Sequence, residues 1–166
     1  MGVTSPPTDL LRVDHQDVLK KLDDLERVIN SLDEPNAVLS DLKKLGAFFK
    51  TEIWTHFSKE EEALFPEIEQ FVPREEGPTG QMFVEHEDLR ETNGRFQKGV
   101  NRYLKDPGDE QAAALIRENG GHIVGLLREH IYKEDNILFM MADMHLDEAQ
   151  KQRVLDLFGK IEAGVT

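Results

Sequence analysis

The chain has 166 residues, of which 39% are apolar and 32% charged, as expected for one globular domain with a hydrophobic core. Its formal net charge is −13 at pH 7, so nucleic acid and anionic membrane surfaces are poor partners. The absence of cysteine excludes thiolate metal ligands and disulfides. No apolar stretch approaches the roughly 20 residues that span a bilayer, and the N-terminus lacks a signal-peptide pattern, which predicts a cytoplasmic protein.

Apolar residues recur at helical spacing in five segments, which are separated by clusters rich in proline, glycine, asparagine and aspartate. Four long helices are predicted over about residues 9–32, 36–70, 81–104 and 110–144. A short fifth helix, capped by Asp147, is predicted over about 147–163. The expected fold is all-α: one domain over residues 1–166, with an up-down-up-down four-helix bundle over about 9–144 and an extra C-terminal helix.

Histidines and glutamates that could bind a metal are distributed over all four predicted bundle helices. They are His15 in the first helix, His56 and Glu60 in the second, His86 in the third, and His130 and Glu134 in the fourth. The two His-x-x-x-Glu pairs each place both side chains on one helix face, a turn apart. Taken singly, an inward histidine is more often a hydrogen-bonded core residue, and such a pair more often lies on a solvated face.

An internal repeat favours a metal site over these separate interpretations. The segment HFSKEEEALFP at 56–66 aligns without a gap with HIYKEDNILFM at 130–140. Each bundle helix then offers one imidazole to the interior, and two helices add a carboxylate. Six buried polar groups are costly without a cation, and nitrogen and oxygen donors without sulfur suit Fe, Mn or Zn. Four histidines and two glutamates exceed one tetrahedral site but suit two metals bridged by carboxylates.

The sequence resembles the hemerythrin-like proteins of the His-His-Glu (HHE) cation-binding type. The resemblance rests on His15, HFSKEEEALFP, the segment EHEDLR around His86, and HIYKEDNILF, and it covers roughly residues 9–144. It implies a four-helix bundle around a non-haem diiron centre. In that centre Glu60 and Glu134 would bridge two iron ions, and the four histidines would be terminal ligands.

The chain departs from the oxygen-carrying hemerythrins at two places. Those proteins have a His-x-x-x-His pair in the third helix, whereas Arg90 stands four residues after His86 here. They end on His-x-x-x-x-Asp, whereas this chain has His130 and Glu134. One iron would therefore lack a protein ligand and hold water, or another side chain would fill the position. His122 is a candidate, but it lies about 80° around the helix from His130, which favours a supporting or surface role.

The expected function follows from an iron pair with an open coordination position in an apolar setting. Apolar side chains would limit the access of water to the iron and tune its redox potential: Ile53, Leu64, Ile123, Leu127 and Ile137. The leading hypothesis is a diiron protein that binds or senses dioxygen, peroxide or nitric oxide. One alternative is a diiron enzyme that decomposes peroxide or reduces nitric oxide, and another is a metal-free helical interaction protein. The C-terminal helix could form a homodimer contact, although docking on its own bundle is more usual.

Overall fold

The computed structural model describes residues 5–164, and these residues form helices and connecting segments without any strand. The helices are α1 (Pro7–Ile29), α2 (35–68), α3 (Pro78–Lys105), α4 (110–145) and α5 (Glu148–Glu162). Within the first four, α1 packs against α2 and α4, and α3 packs against the same two helices. The predicted all-α four-helix bundle with an extra C-terminal helix is confirmed. Within residues 5–164, no helix combines the length and apolar character needed to cross a bilayer.

Helices α2 and α4 are continuous but irregular, a feature that the apolar spacing did not predict. Two π-helical segments, Phe48–Glu52 and Lys59–Leu64, interrupt α2, and one, Glu134–Leu138, interrupts α4. Such segments, with i→i+5 hydrogen bonds, are rare and often occur at functional sites. Glu60 and Glu134 each lie in the first turn of a π segment.

Helix starts follow ordinary backbone chemistry. Pro7, Pro35 and Pro78 occupy the first turns of α1, α2 and α3, where the missing N–H costs nothing. Helix α3 therefore begins three residues earlier than the predicted start at residue 81. Asp109 caps α4 by accepting hydrogen bonds from two backbone N–H groups, and Asp147 forms a capping box at the start of α5, which confirms the predicted cap.

Two buried apolar clusters fill the bundle, and a layer of polar side chains lies between them. On α1, Leu11 belongs to one cluster and Val18 to the other, with His15 between them. His86 is flanked in the same way on α3. The helical spacing of apolar residues thus determines both the core and the level at which the histidines lie.

Helix α5 docks on its own bundle, the more usual of the two predicted arrangements. Val154 and Phe158 are buried in the smaller apolar cluster. Arg153 donates from Nε to the carboxylate of Glu67 on α2 at 3.0 Å. The apolar face of α5 therefore packs against α1 and α2.

Replacing Tyr103 with phenylalanine is expected to lower the free energy of unfolding by about 1 kcal/mol, because the buried Leu32 carbonyl would lose its hydrogen bond. The Tyr103 hydroxyl donates to that carbonyl at 2.7 Å, and the ring is fully buried. Urea unfolding measures the change. The chain has one other tyrosine, Tyr132, which is 66% exposed, so Tyr132→Phe is the matched control and should have little effect. Equal effects of the two replacements would contradict a specific stabilising role for the Tyr103 hydroxyl.

Candidate metal centre

The structure brings all six predicted side chains together in the polar layer of the bundle. His15, His56, Glu60, His86, His130 and Glu134 are each at most 5% exposed. Glu60 and Glu134 are fully buried, although carboxylates are among the groups least often found inside a protein. The convergence of six such groups from four helices is therefore the central feature of the bundle.

The six side chains form two donor groups that share both carboxylates. His15 and His56 form one group with Glu60 and Glu134, and His86 and His130 form the other with the same two glutamates. Within each group the possible donor atoms lie within 4.8 Å of one another. The sequence did not predict this pairing. Each donor group contains two imidazoles and the same two carboxylates, so the two groups have equal numbers of possible ligands.

The distances are consistent with donors that face a common centre. The two Nε2 atoms of each histidine pair are 3.1 Å apart. Glu134 Oε1 lies 3.2 Å from Nε2 of both His15 and His130. Glu60 Oε1 lies 3.4 Å from His56 Nε2 and 3.5 Å from His86 Nε2. One carboxylate oxygen from each glutamate thus lies between two imidazoles of different groups.

Both of these glutamates lie in π segments. Glu60 and its neighbour Lys59 are buried at the start of one segment, and Ala63, Leu64 and Phe65 follow one another inside the core. Helix α5 packs against this part of α2, so side chains on two sides of the segment are covered. The repeat places Glu134 in the equivalent segment of α4.

None of the four oxygens of Glu60 and Glu134 has a hydrogen-bond partner within the part of the chain that the structure describes. The four imidazole Nε2 atoms are close to them but are not aligned for hydrogen bonding. A buried carboxylate oxygen that makes no hydrogen bond is unfavourable, because it has lost its contacts with water. A cation bound among them removes this penalty, so the residues fit a metal site.

Each of the four histidines also has a carboxylate at its other ring nitrogen. The Nδ1 atoms lie 2.7 Å from Asp135 for His15, 3.1 Å from Asp14 for His56, 3.4 Å from Glu61 for His86 and 2.8 Å from Glu85 for His130. Such a partner fixes the tautomer that has Nδ1 protonated and leaves Nε2 free to bind a metal.

In the metal-free chain the imidazoles are stabilised as cations. Burial lowers the pKa of His56, but the carboxylates around it, first among them Glu60, outweigh burial and raise the pKa to about 10. The pKa of His130 also rises to about 10, because Glu134 outweighs burial. Burial raises the pKa of Glu134, but the neighbouring imidazoles hold it well below its usual range. Protons therefore occupy this cluster in the absence of a metal.

Aromatic and aliphatic side chains form the walls of the site. Phe57 stacks on the His86 ring with 4.0 Å between ring centroids, and Phe139 stacks on His15 at 5.4 Å. Ile53 and Leu127 are buried, as predicted. Ile137 is 50% exposed, so its predicted role in limiting water access was wrong.

The other candidate ligands lie away from the cluster. His122 is exposed and its Nε2 lies 3.0 Å from Asp88, in agreement with the surface role favoured by its helical angle. Arg90, at the position where oxygen carriers have a histidine, forms ion pairs with Glu87 and Glu61. Within residues 5–164, the potential metal-binding groups are the two that contain Glu60 and Glu134.

The bundle, the duplicated donor groups and the buried carboxylates define a metal-binding hemerythrin-like protein. The sequence profile of the hemerythrin HHE cation binding domain matches residues 7–142, and the chain belongs to this family. The resemblance found in the sequence is thereby confirmed.

Among curated proteins, the chain is similar to the iron-sulfur cluster repair protein YtfE of Salmonella schwarzengrund, Salmonella typhimurium and Salmonella paratyphi B. Each is 33% identical over 112 residues, which is 66% of this chain and 50% of the relative. The chain thus spans about half the length of the curated relatives it matches. No solved structure matches significantly.

Proposed function

We propose that the protein binds two iron ions between its four bundle helices and that this centre binds dioxygen, peroxide or nitric oxide. The observation that carries the proposal is the sharing of Glu60 and Glu134 by two histidine pairs. A single ion would leave one pair of imidazoles without a metal. Two ions would use all six side chains, with the glutamates as bridges and His15, His56, His86 and His130 as terminal ligands.

The donor set supports iron and an open coordination position. Nitrogen and oxygen donors suit Fe, and also Mn or Zn, whereas Mg and Ca prefer oxygen alone. Two imidazoles and two shared carboxylates supply four donors to each position, which leaves room for an external ligand in an octahedral metal. Bound ferrous iron would supply redox chemistry and open positions for a small molecule.

The residues around the donors favour small ligands. His86 and His130 are at most 1% exposed, and the rings of Phe57 and Phe139 cover the histidine faces. This packing supports a diatomic gas or peroxide as the ligand and leaves little space for an organic substrate. The Nδ1 carboxylates hold the imidazole rings in position during ligand binding, because each fixes the orientation of its partner.

The first test measures iron bound per chain after anaerobic reconstitution with ferrous iron, followed by absorption spectra on adding nitric oxide, dioxygen or peroxide. About two ions per chain and a spectral change with one of these ligands are the expected results. Binding of less than half an ion would contradict the proposal and favour a metal-free interaction protein. His122→Ala is the control and should bind iron normally, because His122 lies outside the cluster.

The same protein can be tested for catalysis. Consumption of many peroxide or nitric oxide molecules per iron, lost in Glu134→Ala, would make the protein an enzyme. Stoichiometric binding without turnover would favour a binding or sensing role.

The names of the curated relatives suggest a second candidate, participation in iron-sulfur cluster repair. A metal centre near the surface would support iron transfer, and a cleft lined in part by His56 lies beside one donor group. Incubating the iron-loaded protein with sulfide and a cluster-depleted iron-sulfur protein tests this role. Restoration of cluster absorbance by the loaded protein, but not by the metal-free protein, is the expected result.

A further inference from the structure

The two donor groups have different surroundings, although their ligands are equivalent. The carboxylates that contact the histidines of the first group, Asp14 and Asp135, have side chains that are 35% and 25% exposed. Those that contact the second group, Glu85 and Glu61, are 5% and 16% exposed. The carboxylates that support His15 and His56 are therefore more exposed to solvent than those that support His86 and His130, and the difference is largest between Asp14 and Glu85.

The carboxylate of Glu85 is also fully engaged by its neighbours. Its Oε1 atom accepts from His130 Nδ1, and its Oε2 atom accepts from Gln81 Nε2 at 2.7 Å and from Lys133 Nζ. A buried carboxylate with three donors is held rigidly, and it holds the His130 ring in turn. This network joins α3 to α4, the two helices that carry the histidines of the second group.

The network that supports His56, which corresponds to His130 in the repeat, is looser than that of His130. Asp14 contacts His56 Nδ1 at 3.1 Å and Lys59 Nζ at 3.6 Å through one oxygen, Oδ2. Lys59 occupies the place in the repeat that Lys133 has in α4, but it also pairs with Glu162 of α5. Lys59 thus pairs with two carboxylates, Asp14 and Glu162, and its contact with Asp14 is the longer one. Asp14 is therefore held less firmly against His56 than Glu85 is against His130.

A surface cleft of about 330 Å³ opens beside the first group. Its lining includes His56, together with the carboxylates of Asp14, Asp17 and Glu52 and the ammonium of Lys59. Three negative groups against one positive group attract cations to the cleft.

We propose that the two metal positions exchange at different rates, and that the position of His15 and His56 takes up and releases its ion through this cleft. The position of His86 and His130 retains its ion. The inference rests on the proposed function, because it requires two bound ions. It assigns the two ions different roles: one exchangeable with the surroundings, the other resident.

The test follows iron release from the full chain, loaded anaerobically with two ferrous ions, after mixing with a chromophoric ferrous chelator. Two phases of about one ion each are expected. Asp14→Asn should speed the fast phase about tenfold and leave the slow phase unchanged, because a supporting carboxylate contributes about 10–100-fold to metal affinity. Glu85→Gln should speed only the slow phase. Asp24→Asn, an exposed aspartate elsewhere on α1, is the matched control for both.

A second pair of variants repeats the comparison through the remaining histidines. Asp135→Asn, beside His15, should act on the fast phase, and Glu61→Gln, beside His86, on the slow one. Release of both wild-type ions in one phase would overturn the inference, even if every variant failed to fold. An effect of Glu85→Gln on the fast phase, or no effect of Asp14→Asn on it, would also overturn it. Failure to load two ions would instead refute the proposed function.

Discussion

Replacing Glu60 and Glu134 together with glutamine is expected to reduce bound iron from about two ions per chain to less than about 0.2, because both positions lose every carboxylate donor. The two amides keep the size of the side chains, so the bundle should still form. Both glutamates are completely buried and belong to both donor groups, which makes this the largest effect expected from any pair of substitutions. Metal analysis after anaerobic loading and desalting measures it, with circular dichroism as the check on folding.

Single replacements test whether the carboxylates are shared. Glu60→Gln should weaken the binding of both ions, since Glu60 is common to the two groups. His56→Ala should weaken the binding of only one ion, since its imidazole belongs to one group. Anaerobic calorimetric titration with ferrous iron distinguishes these results, because the number of weakened sites differs.

Glu62→Gln is the matched control for the glutamate variants. Glu62 lies in the same π segment as Glu60 but is exposed, so its replacement should leave both ions bound. Loss of only one ion from the double variant would show that the two positions do not depend on the same carboxylates. Equal losses in Glu60→Gln and Glu62→Gln would exclude Glu60 as a specific donor.

The helices, and the residues that the structure brings together in the candidate metal site, could be predicted because both depend on local spacing. Apolar residues three or four positions apart predict a helix and its buried face, and His15 lies on the same stripe as Leu11 and Val18. The repeat then predicts that the two His-x-x-x-Glu pairs have equivalent environments. These arguments need no knowledge of which helices are neighbours.

The pairing of histidines and their supporting carboxylates could not be predicted, because both depend on contacts between helices. Asp14 adjoins His15 in the sequence but contacts His56 on α2, since successive helical residues point about 100° apart. Asp135 adjoins Glu134 but contacts His15 on α1. The π segments were also missed, because a single extra residue per turn does not change the apolar pattern enough to be recognised.

Binding of ferrous iron at pH 7.5 is expected to release at least about two protons per chain. In the metal-free protein the pKa values of His56 and His130 are about 10, so both imidazoles carry a proton at this pH. A metal can bind Nε2 only after that proton leaves. A pH-indicator dye in weak buffer measures the release during anaerobic titration. His122→Ala should release the same number, because His122 is outside the cluster. Release of no protons would contradict the proposal that His56 and His130 bind the metal.

The same pKa values predict opposite effects of pH on the metal-free and iron-loaded proteins. A histidine whose pKa is raised from 6.5 to about 10 by folding contributes stability that is fully present below pH 6.5 and lost as the pH rises through 10. The metal-free protein should therefore become easier to unfold in urea between pH 6.5 and 10. In the iron-loaded protein the same imidazoles are already deprotonated, so its stability should not fall over this range. A parallel decline in both forms would show that the titrating groups are not the ones that hold the metal.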